Sequence, residues 1–475
     1  MAALHYAARL LTVSIFAFVL AGCASGPDYL MPPIPESAAG HFVTRVKGTD
    51  DTTPLPAGWW KLYDDPVLNG LIEDAFAANT DLRLALANLE RAQAIFNEAR
   101  SGIFPSTTVS AGAAFGRNQT TWSGTGQAPS QWSYSGGPVL SYELDLFGRV
   151  RRAIEAARYD TQAVAATYDA VRVTVVAETT RSYVNICVLG EAIEVARSSI
   201  ELANHSLRII GARERAGSAS RFDVERAGIT RAQAVAALSP LQGEREAALF
   251  ELAALTGRTP AQVPEIARAC VKAPDIAVTL PVGDGTALLL RRPDVRQAER
   301  QLAANTARIG VAVADLYPRV NLSASGSYLY SGSLTGNRTF SFAMGPLISW
   351  TFPNMAVARS RIKQASAQSA ASLAAFDGVV LTALKEAEQA LAGYGATLEQ
   401  RSALVEARDR AERAYLLADQ RYRSGSISYL DVIVAQATFI NAKAQVSAAD
   451  QRVGSARVSV FKALGGGWEN TDVQQ

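Results

Sequence analysis

The sequence predicts an α+β membrane protein, with four transmembrane β-strands and long α-helical coiled-coil hairpins in each chain. Three observations carry that expectation. The chain repeats itself, each half holds two segments in which apolar and polar residues alternate, and each half holds a proline-free run of helical periodicity. Composition narrows the function. Of 475 residues, 48% are hydrophobic and 19% charged, with a formal net charge of +2. A charge so near neutral excludes a nucleic-acid binder that works by neutralising phosphates. Three His (His5, His41, His205) and three Cys (Cys23, Cys187, Cys270) lie far apart, so no zinc-type spacing exists and a His-based catalytic centre has few candidates. There is no Lys-bearing phosphate loop, nucleophile elbow or acidic metal cluster either. The composition points away from an enzyme, and no catalytic, metal-binding or cofactor-binding residue is expected.

The N-terminus opens on an apolar run, Leu10 to Ala21, behind Arg9. About 12 residues are too few for a bilayer core that needs roughly 20, so the run reads as the hydrophobic region of a secretory signal peptide. It ends Leu20-Ala21-Gly22-Cys23, which resembles a bacterial lipobox. Cleavage after residue 22 would leave Cys23 as the N-terminus, carrying a diacylglycerol and an N-acyl chain. Ala24 in place of Asp favours, by the same resemblance, sorting to the outer membrane. Losing residues 1–22 removes a single Arg and leaves a net charge of +1. Residues 23–58 hold Pro27, Pro32, Pro33, Pro35, Pro54 and Pro56 and suit an extended tether without regular structure.

The body begins at Trp59-Trp60 and is duplicated. Leu89–Gly112 resembles Leu302–Ser325, with Phe104-Pro105 against Tyr317-Pro318. Gly137-Pro138 through Ser141-Tyr142 matches Gly345-Pro346 through Ser349-Trp350. Arg215-Ala-Gly217-Ser218-Ala-Ser220-Arg-Phe-Asp223-Val224 matches Arg423-Ser-Gly425-Ser426-Ile-Ser428-Tyr-Leu-Asp431-Val432. Three matches in one order imply a repeat over 59–270 and another over 271–465, with 466–475, including most of Gly465-Gly466-Gly467, as a flexible tail.

Strands are expected at about 104–116, 131–147, 318–331 and 338–352. Their alternation puts Trp132, Tyr134, Tyr142, Tyr328, Phe340, Phe342 and Trp350 on an apolar, lipid-facing side and a series of serines on the other. Glu143 and Asp145 fall on the polar side and read as a solvated lumen face. A soluble β-sandwich edge alternates in the same way, but it would need a second sheet to pack on. Four strands cannot close a barrel, and an unpaired edge cannot sit in lipid, so several chains must combine. Two would give eight strands and three twelve; the lumen-facing Ser and Gly favour three, with the loops Arg117–Ser130 and Gly332–Asn337 outside the cell.

The helical runs Ile154–Arg213 and Val357–Arg423 carry no proline, the first being roughly 60 residues and ~90 Å long. Leu373, Phe376, Val380, Leu384, Leu391, Tyr394 and Leu398 form a coiled-coil-like seam, with alanines allowing close approach. An antiparallel stalk has the same periodicity; fusion to barrel strands favours a helical tube. Tight loops at 216–221 and 424–429 end the runs, with Gly217 and Gly425 freeing the reversal and Ser220 and Ser428 available as caps. Asp223 and Asp431 then fall in the first turn of the next helix, where the dipole favours an acid. Cys187, within a helix, and Cys270, in a loop, are read as free thiols.

Together the lipobox, duplication, paired strands and hairpins resemble the TolC-like outer-membrane factors, specifically the NodT-type (OprM-like) lipoproteins of efflux pumps. The most specific pieces are Arg291-Arg292-Pro293-Asp294-Val295-Arg296-Gln-Ala298-Glu299, Ala254-Leu-Thr-Gly257-Arg-Thr-Pro260, Ser220-Arg-Phe-Asp223-Val224 and Gly26-Pro27-Asp28-Tyr29. The resemblance implies a homotrimer in the Gram-negative outer membrane, a 12-stranded barrel continued by a 12-helix α-barrel through the periplasm. It implies a passive duct for drugs and small amphiphiles, coupled by a periplasmic adaptor to an inner-membrane pump of the RND type. It carries adaptor docking to Gly217, Ser218, Gly425 and Ser426, a cation-favouring constriction ring to Asp431, and a lock on the closed mouth to Asp223 and Tyr422. Ile427 and Val434 stand where TolC has an arginine and a second pore aspartate, so the closing network is built differently, with Arg213, Arg421 and Arg423 as candidate substitutes. A type I protein-secretion duct and a non-conducting lipid-anchored stalk are the alternative readings.

Overall fold

A computed structural model describes residues 25–468 except 34, 118–124, 277, 333, 335, 351 and 353–354; Cys23 lies outside the described residues. In chain order the elements are β1 (Thr49–Asp50), α1 (Pro66–Ala78), α2 (Thr80–Ser101), β2 (Ser106–Gly116), β3 (Gln131–Leu144), α3 (Arg149–Arg215), α4 (Arg221–Ala236), α5 (Leu238–Leu255), α6 (Glu265–Arg268), β4 (Leu280–Pro281), α7 (Gly285–Arg291), α8 (Pro293–Ala314), β5 (Arg319–Ser331), β6 (Phe340–Ser349), α9 (Met355–Arg423) and α10 (Tyr429–Ala463). The fold is mostly helical. Two compact units share the chain: one takes the N-terminus to Pro32, Leu89–Val164 and Gln297–Asp377, the other Pro33–Asn88, Ala165–Arg296 and the chain from Gly378 on.

The first unit is built on one antiparallel sheet in the order β2-β3-β5-β6. Its register decides which side chains share a face. Phe115 lies opposite Trp132, Ala113 opposite Tyr134, and Val109 opposite Pro138. Tyr134 then meets Tyr330 and Tyr142 meets Leu322, while Tyr328 meets Phe340, Gly326 meets Phe342 and Val320 meets Ile348. Because side chains alternate, all of these fall on one face, and Ser110, Ser135, Ser141, Ser323, Ser325, Ser327 and Ser341 fall on the other. The apolar face is open, with Phe342 at 86% and Met344 at 84% exposure. The strand expected over 131–147 stops at Leu144. Asp145 turns back to accept Val150 N–H at 3.0 Å and Arg151 N–H at 2.9 Å, so it caps α3 and lies beyond the strand face assigned to it. Glu143 does lie on that face and is paired with Arg149.

The second unit has a core around Trp59, which is fully buried and stacks on Phe461 at 4.4 Å, with Leu68, Ile72, Ile186, Leu249, Leu252 and Leu391 around them. The tether expected over 23–58 is more ordered than its prolines suggest. Glu388 accepts the Val43 and Thr44 N–H groups at 2.6 and 2.9 Å, and β1 pairs in parallel with β4. The glycines at 465–467 are not a flexible tail. A Cβ at Gly466 would come within 2.5 Å of Leu55 Cδ2, and Gly467 has φ +108°, so the absent side chains let the backbone close over Trp59. Trp468 Nε1 then donates to the Arg291 carbonyl at 3.0 Å.

Cys187 and Cys270 are joined in a disulfide, with their Cα atoms 4.9 Å apart. This corrects the reading of two free thiols. Their separation of 83 positions in the chain concealed a close approach at Gly190, where a Cβ would stand 2.6 Å from the Cys270 carbonyl oxygen. Arg245 reinforces the loop by donating to the carbonyls of Arg268 and Cys270 at 2.7 and 2.8 Å. The break between α4 and α5 also has a local cause. In a continuous helix the ring of Pro240 would clash with the carbonyl four residues back, at Ala236, which is where α4 ends. No proline interrupts α10, which runs on for 35 residues.

Candidate functional site

The two hairpin tips have the same construction. At the first, Gly217 adopts φ +74°, its N–H donates to Glu214 O at 2.9 Å, and Ser218 N–H donates to Arg213 O at 2.8 Å. At the second, Gly425 adopts φ +78°, with bonds from Gly425 N–H to Tyr422 O and from Ser426 N–H to Arg421 O, both 2.9 Å. These are Schellman closures, which need a residue at positive φ. The next helices start two residues later on capping boxes. Ser220 Oγ accepts from Asp223 N–H while the Asp223 carboxylate accepts from Ser220 N–H, and Ser428 and Asp431 repeat the exchange. Each tip is therefore a rigid reversal that leaves Gly217, Ser218, Gly425 and Ser426 exposed.

Behind the tips the hairpins are stitched together by Ile210, Ala227, Tyr429, Val432 and Ile433. Burial pushes the Tyr429 phenol up, and its hydroxyl donates to the Ser206 carbonyl at 3.4 Å. Tyr422 meets Tyr429 edge-on at 4.9 Å, and the Arg213 guanidinium lies 5.0 Å from the centre of the Tyr422 ring. Of the candidate substitutes for the missing arginine, Arg213 thus reaches Tyr422, whereas Arg423 pairs with Asp419 at 2.8 Å. The structure puts Tyr422 near the tip but gives the Asp223 carboxylate to Ser220 within its own chain. Asp431 is exposed and likewise bound to Ser428, at 2.8 Å from its Oγ. Sequence reading missed the cation–π contact of Arg213, since nothing in the local pattern links α3 to the end of α9. It did find Ser220 and Ser428 as caps and Asp223 and Asp431 in the first turn, though not the reciprocal bond that joins each pair.

The motifs that carry the resemblance act as fasteners. Arg292, 8% exposed, forks onto Asp294 at 2.9 and 2.6 Å and also reaches Glu386 at 2.8 Å and the Ala463 carbonyl at 2.9 Å. Pro293 opens α8, where its missing N–H costs nothing. Gly257, at φ +68°, lets the chain pass within contact of Ala78, and Arg258 pairs with Asp74 at 2.9 Å.

At the sheet, aromatic residues gather toward both strand ends. Phe115, Trp132, Tyr134 and Tyr330 adjoin one another near one end, while Phe147 stacks on Tyr317 at 4.5 Å and Trp350 on Phe352 at 4.9 Å near the other. Strands of 10 to 14 residues, apolar on one face and aromatic toward both ends, fit the hydrocarbon thickness of a bilayer. Such strands, in one chain with long helical hairpins, are the features of an outer-membrane channel protein. The chain belongs to the outer membrane efflux protein family, whose pattern it matches over residues 71–258 and 286–466. It is 30% identical to the probable efflux pump outer membrane protein SepC of Pseudomonas putida, across 99% of this chain and 98% of that protein. It is also 30% identical to outer membrane protein OprJ of Pseudomonas aeruginosa, across 96% and 95%. The solved structure of the outer-membrane channel OprN superposes with a TM-score of 0.85 at 34% identity, covering 94% of this chain and all of that one. The protein is an outer-membrane efflux channel.

Proposed function

We propose that three copies of the chain close a 12-stranded barrel and a 12-helix α-barrel, making a passive duct for drugs, solvents and other small amphiphiles. The observation that carries this is the sheet register, which gives one chain an open apolar face, a serine face and, among the described residues, two strands with an unpaired outer edge. In lipid those edges must pair, and only other chains supply partners. The tips at Gly217-Ser218 and Gly425-Ser426 receive a periplasmic adaptor, which couples the duct to an inner-membrane pump of the RND type. Three copies of Asp431 form a cation-favouring ring, and Tyr422 with Asp223 holds the mouth shut. Cys23 carries the lipid, and the aromatic residues Trp132, Tyr134, Tyr142, Tyr328, Phe340, Phe342 and Trp350 face the bilayer.

The test is a deletion strain challenged with unrelated antibiotics, dyes, solvents and detergents, its secreted proteins compared in parallel. Sensitisation to several classes with an unchanged secretome is the expected result. Loss of one secreted protein with unchanged tolerance would assign the duct to protein secretion instead.

A further inference from the structure

A polar cavity of about 450 Å³ opens in the second unit, between α3, α9, α10 and the segment that follows the Cys187–Cys270 disulfide. Its inner wall holds Arg457, whose side chain is 13% exposed, and Tyr63, at 3%. Arg457 Nη1 donates to Asp275 Oδ1 at 2.9 Å, and the Asp275 side chain is 81% exposed. The same oxygen accepts the Ile276 N–H at 2.8 Å, so one carboxylate oxygen serves both donors. The Tyr63 and Tyr394 phenols face the same guanidinium. Burial pushes the Tyr63 phenol up, which keeps it a neutral O–H group. Yet the Tyr63 hydroxyl and Arg457 Nε are both buried and bonded to no partner among the described residues. At the rim Arg401 is paired with Asp450, whereas Lys272 and Glu191 form no ion pair among the described residues.

A fastening ion pair explains only part of this. Buried donors in folded chains find acceptors, so two orphaned donors beside one cavity mark a place where an acceptor belongs. Asp275 meets the guanidinium through a single N–H, although that group is a fork suited to both oxygens of a carboxylate. Asp275 also keeps most of its side chain in water, where an ion pair holds weakly and is readily exchanged. It behaves as a stand-in for another carboxylate. The rim narrows the choice of ligand: Glu191 opposes a second negative charge, which disfavours a dianionic phosphate. The volume is in the range of small-ligand pockets. We propose that this cavity is a carboxylate site. A small monocarboxylate, of the kind a short peptide carries at its C-terminus, displaces Asp275 and binds Arg457 together with the Tyr63 hydroxyl. Asp275 is the plug that closes the site between ligands. The site lies ~38 Å along α3 from the hairpin tip, counting 1.5 Å per residue from Val188 to Arg213, so it is separate from the proposed adaptor contacts. Neither the trimer nor the duct is needed for it.

The experiment uses the full chain in detergent micelles, with saturation-transfer NMR following N-acetyl-alanyl-alanine and its C-terminal amide. The acid should bind saturably and at least about tenfold more tightly than the amide, which lacks the charge. Asp275→Asn keeps an acceptor for the Ile276 N–H but weakens the plug. It should tighten binding of the acid at least about threefold, because the open form is then more populated. Tyr63→Phe removes a hydroxyl that has no partner, so the thermal midpoint should hold while binding of the acid weakens at least about threefold. Inorganic phosphate at the same concentration should leave the dipeptide bound. Equal binding of acid and amide, or Asp275→Asn without tightening, would make the ion pair a fastener only and overturn the site. Undiminished binding by Tyr63→Phe would put the dipeptide elsewhere on the chain, and displacement by phosphate would overturn the preference for a carboxylate.

Discussion

Asp431 holds its carboxylate 3.1 Å from Ser428 N and 2.8 Å from Ser428 Oγ, so in the proposed pore it serves as a helix cap as well as a charge. Replacing it with alanine would remove both, and the lost cap alone costs about 0.5–2 kcal/mol. Asp431→Asn keeps an acceptor for Ser428 and discards the charge. In single-channel recordings it should reduce cation preference while the oligomer keeps its thermal resistance; unchanged selectivity would remove Asp431 from the ring. Tyr422→Phe, recorded alongside, preserves the contacts of the ring with Arg213 and Tyr429 and deletes only the hydroxyl. Raised conductance would show that the hydroxyl locks the mouth, and wild-type conductance would show that the stacked ring does. At this scale the sequence was legible wherever spacing is local: Gly at the reversal, then a Ser cap and a first-turn Asp. The Arg213–Tyr422 contact was hidden because its partners end two helices that are distant in the chain.

Among the elements, the long helices and the strands were legible because each has a period and an uninterrupted run. Proline-free sequence gave runs expected at Ile154–Arg213 and Val357–Arg423, and the helices found are Arg149–Arg215 and Met355–Arg423. What periodicity does not encode is which loop touches which helix. Cys270 reaches Cys187 because Gly190 leaves room on α3 and Arg245 gathers the loop carbonyls. A crosslink that closes a loop of this length restricts the unfolded chain by about 4.5 kcal/mol in the chain-entropy description. Peptide mapping without reductant should therefore recover the two cysteine peptides joined. Cys270→Ser should make the loop around α6 the earliest site of limited proteolysis at temperatures where the parent chain resists. Separate peptides in the parent would restore the two free thiols that the sequence spacing suggested. The glycines at 465–467 teach the same lesson in reverse: a flexible composition became a packed turn because Trp59 needed a lid without side chains.

For the whole molecule, the decisive quantity is what one chain leaves unpaired. Among the described residues β2 bonds only β3, and β6 only β5, so the sheet ends in two open edges beside a face on which Phe342, Met344 and Ile348 are 86, 84 and 66% exposed. Lipid satisfies the apolar face but supplies no hydrogen-bond partner for an edge, and the proposed closure by copies of the chain supplies one. Two copies would give a barrel about as wide as its own side chains fill, whereas three leave room for water along a serine-lined wall. Native mass spectrometry of the detergent-extracted protein should therefore show three chains, and gel mobility should shift from trimer to monomer only on heating. A two-chain mass would replace the duct with a filled eight-stranded barrel, and no conductance should then be found in planar bilayers. A single-chain mass would imply that the edges are paired within one chain or covered by another protein, and the threefold Asp431 ring would fall with the trimer. The oligomer count thus comes before every pore measurement, because rings of charge, closed walls and a continuous lumen exist only once the edges of one chain have met those of the next.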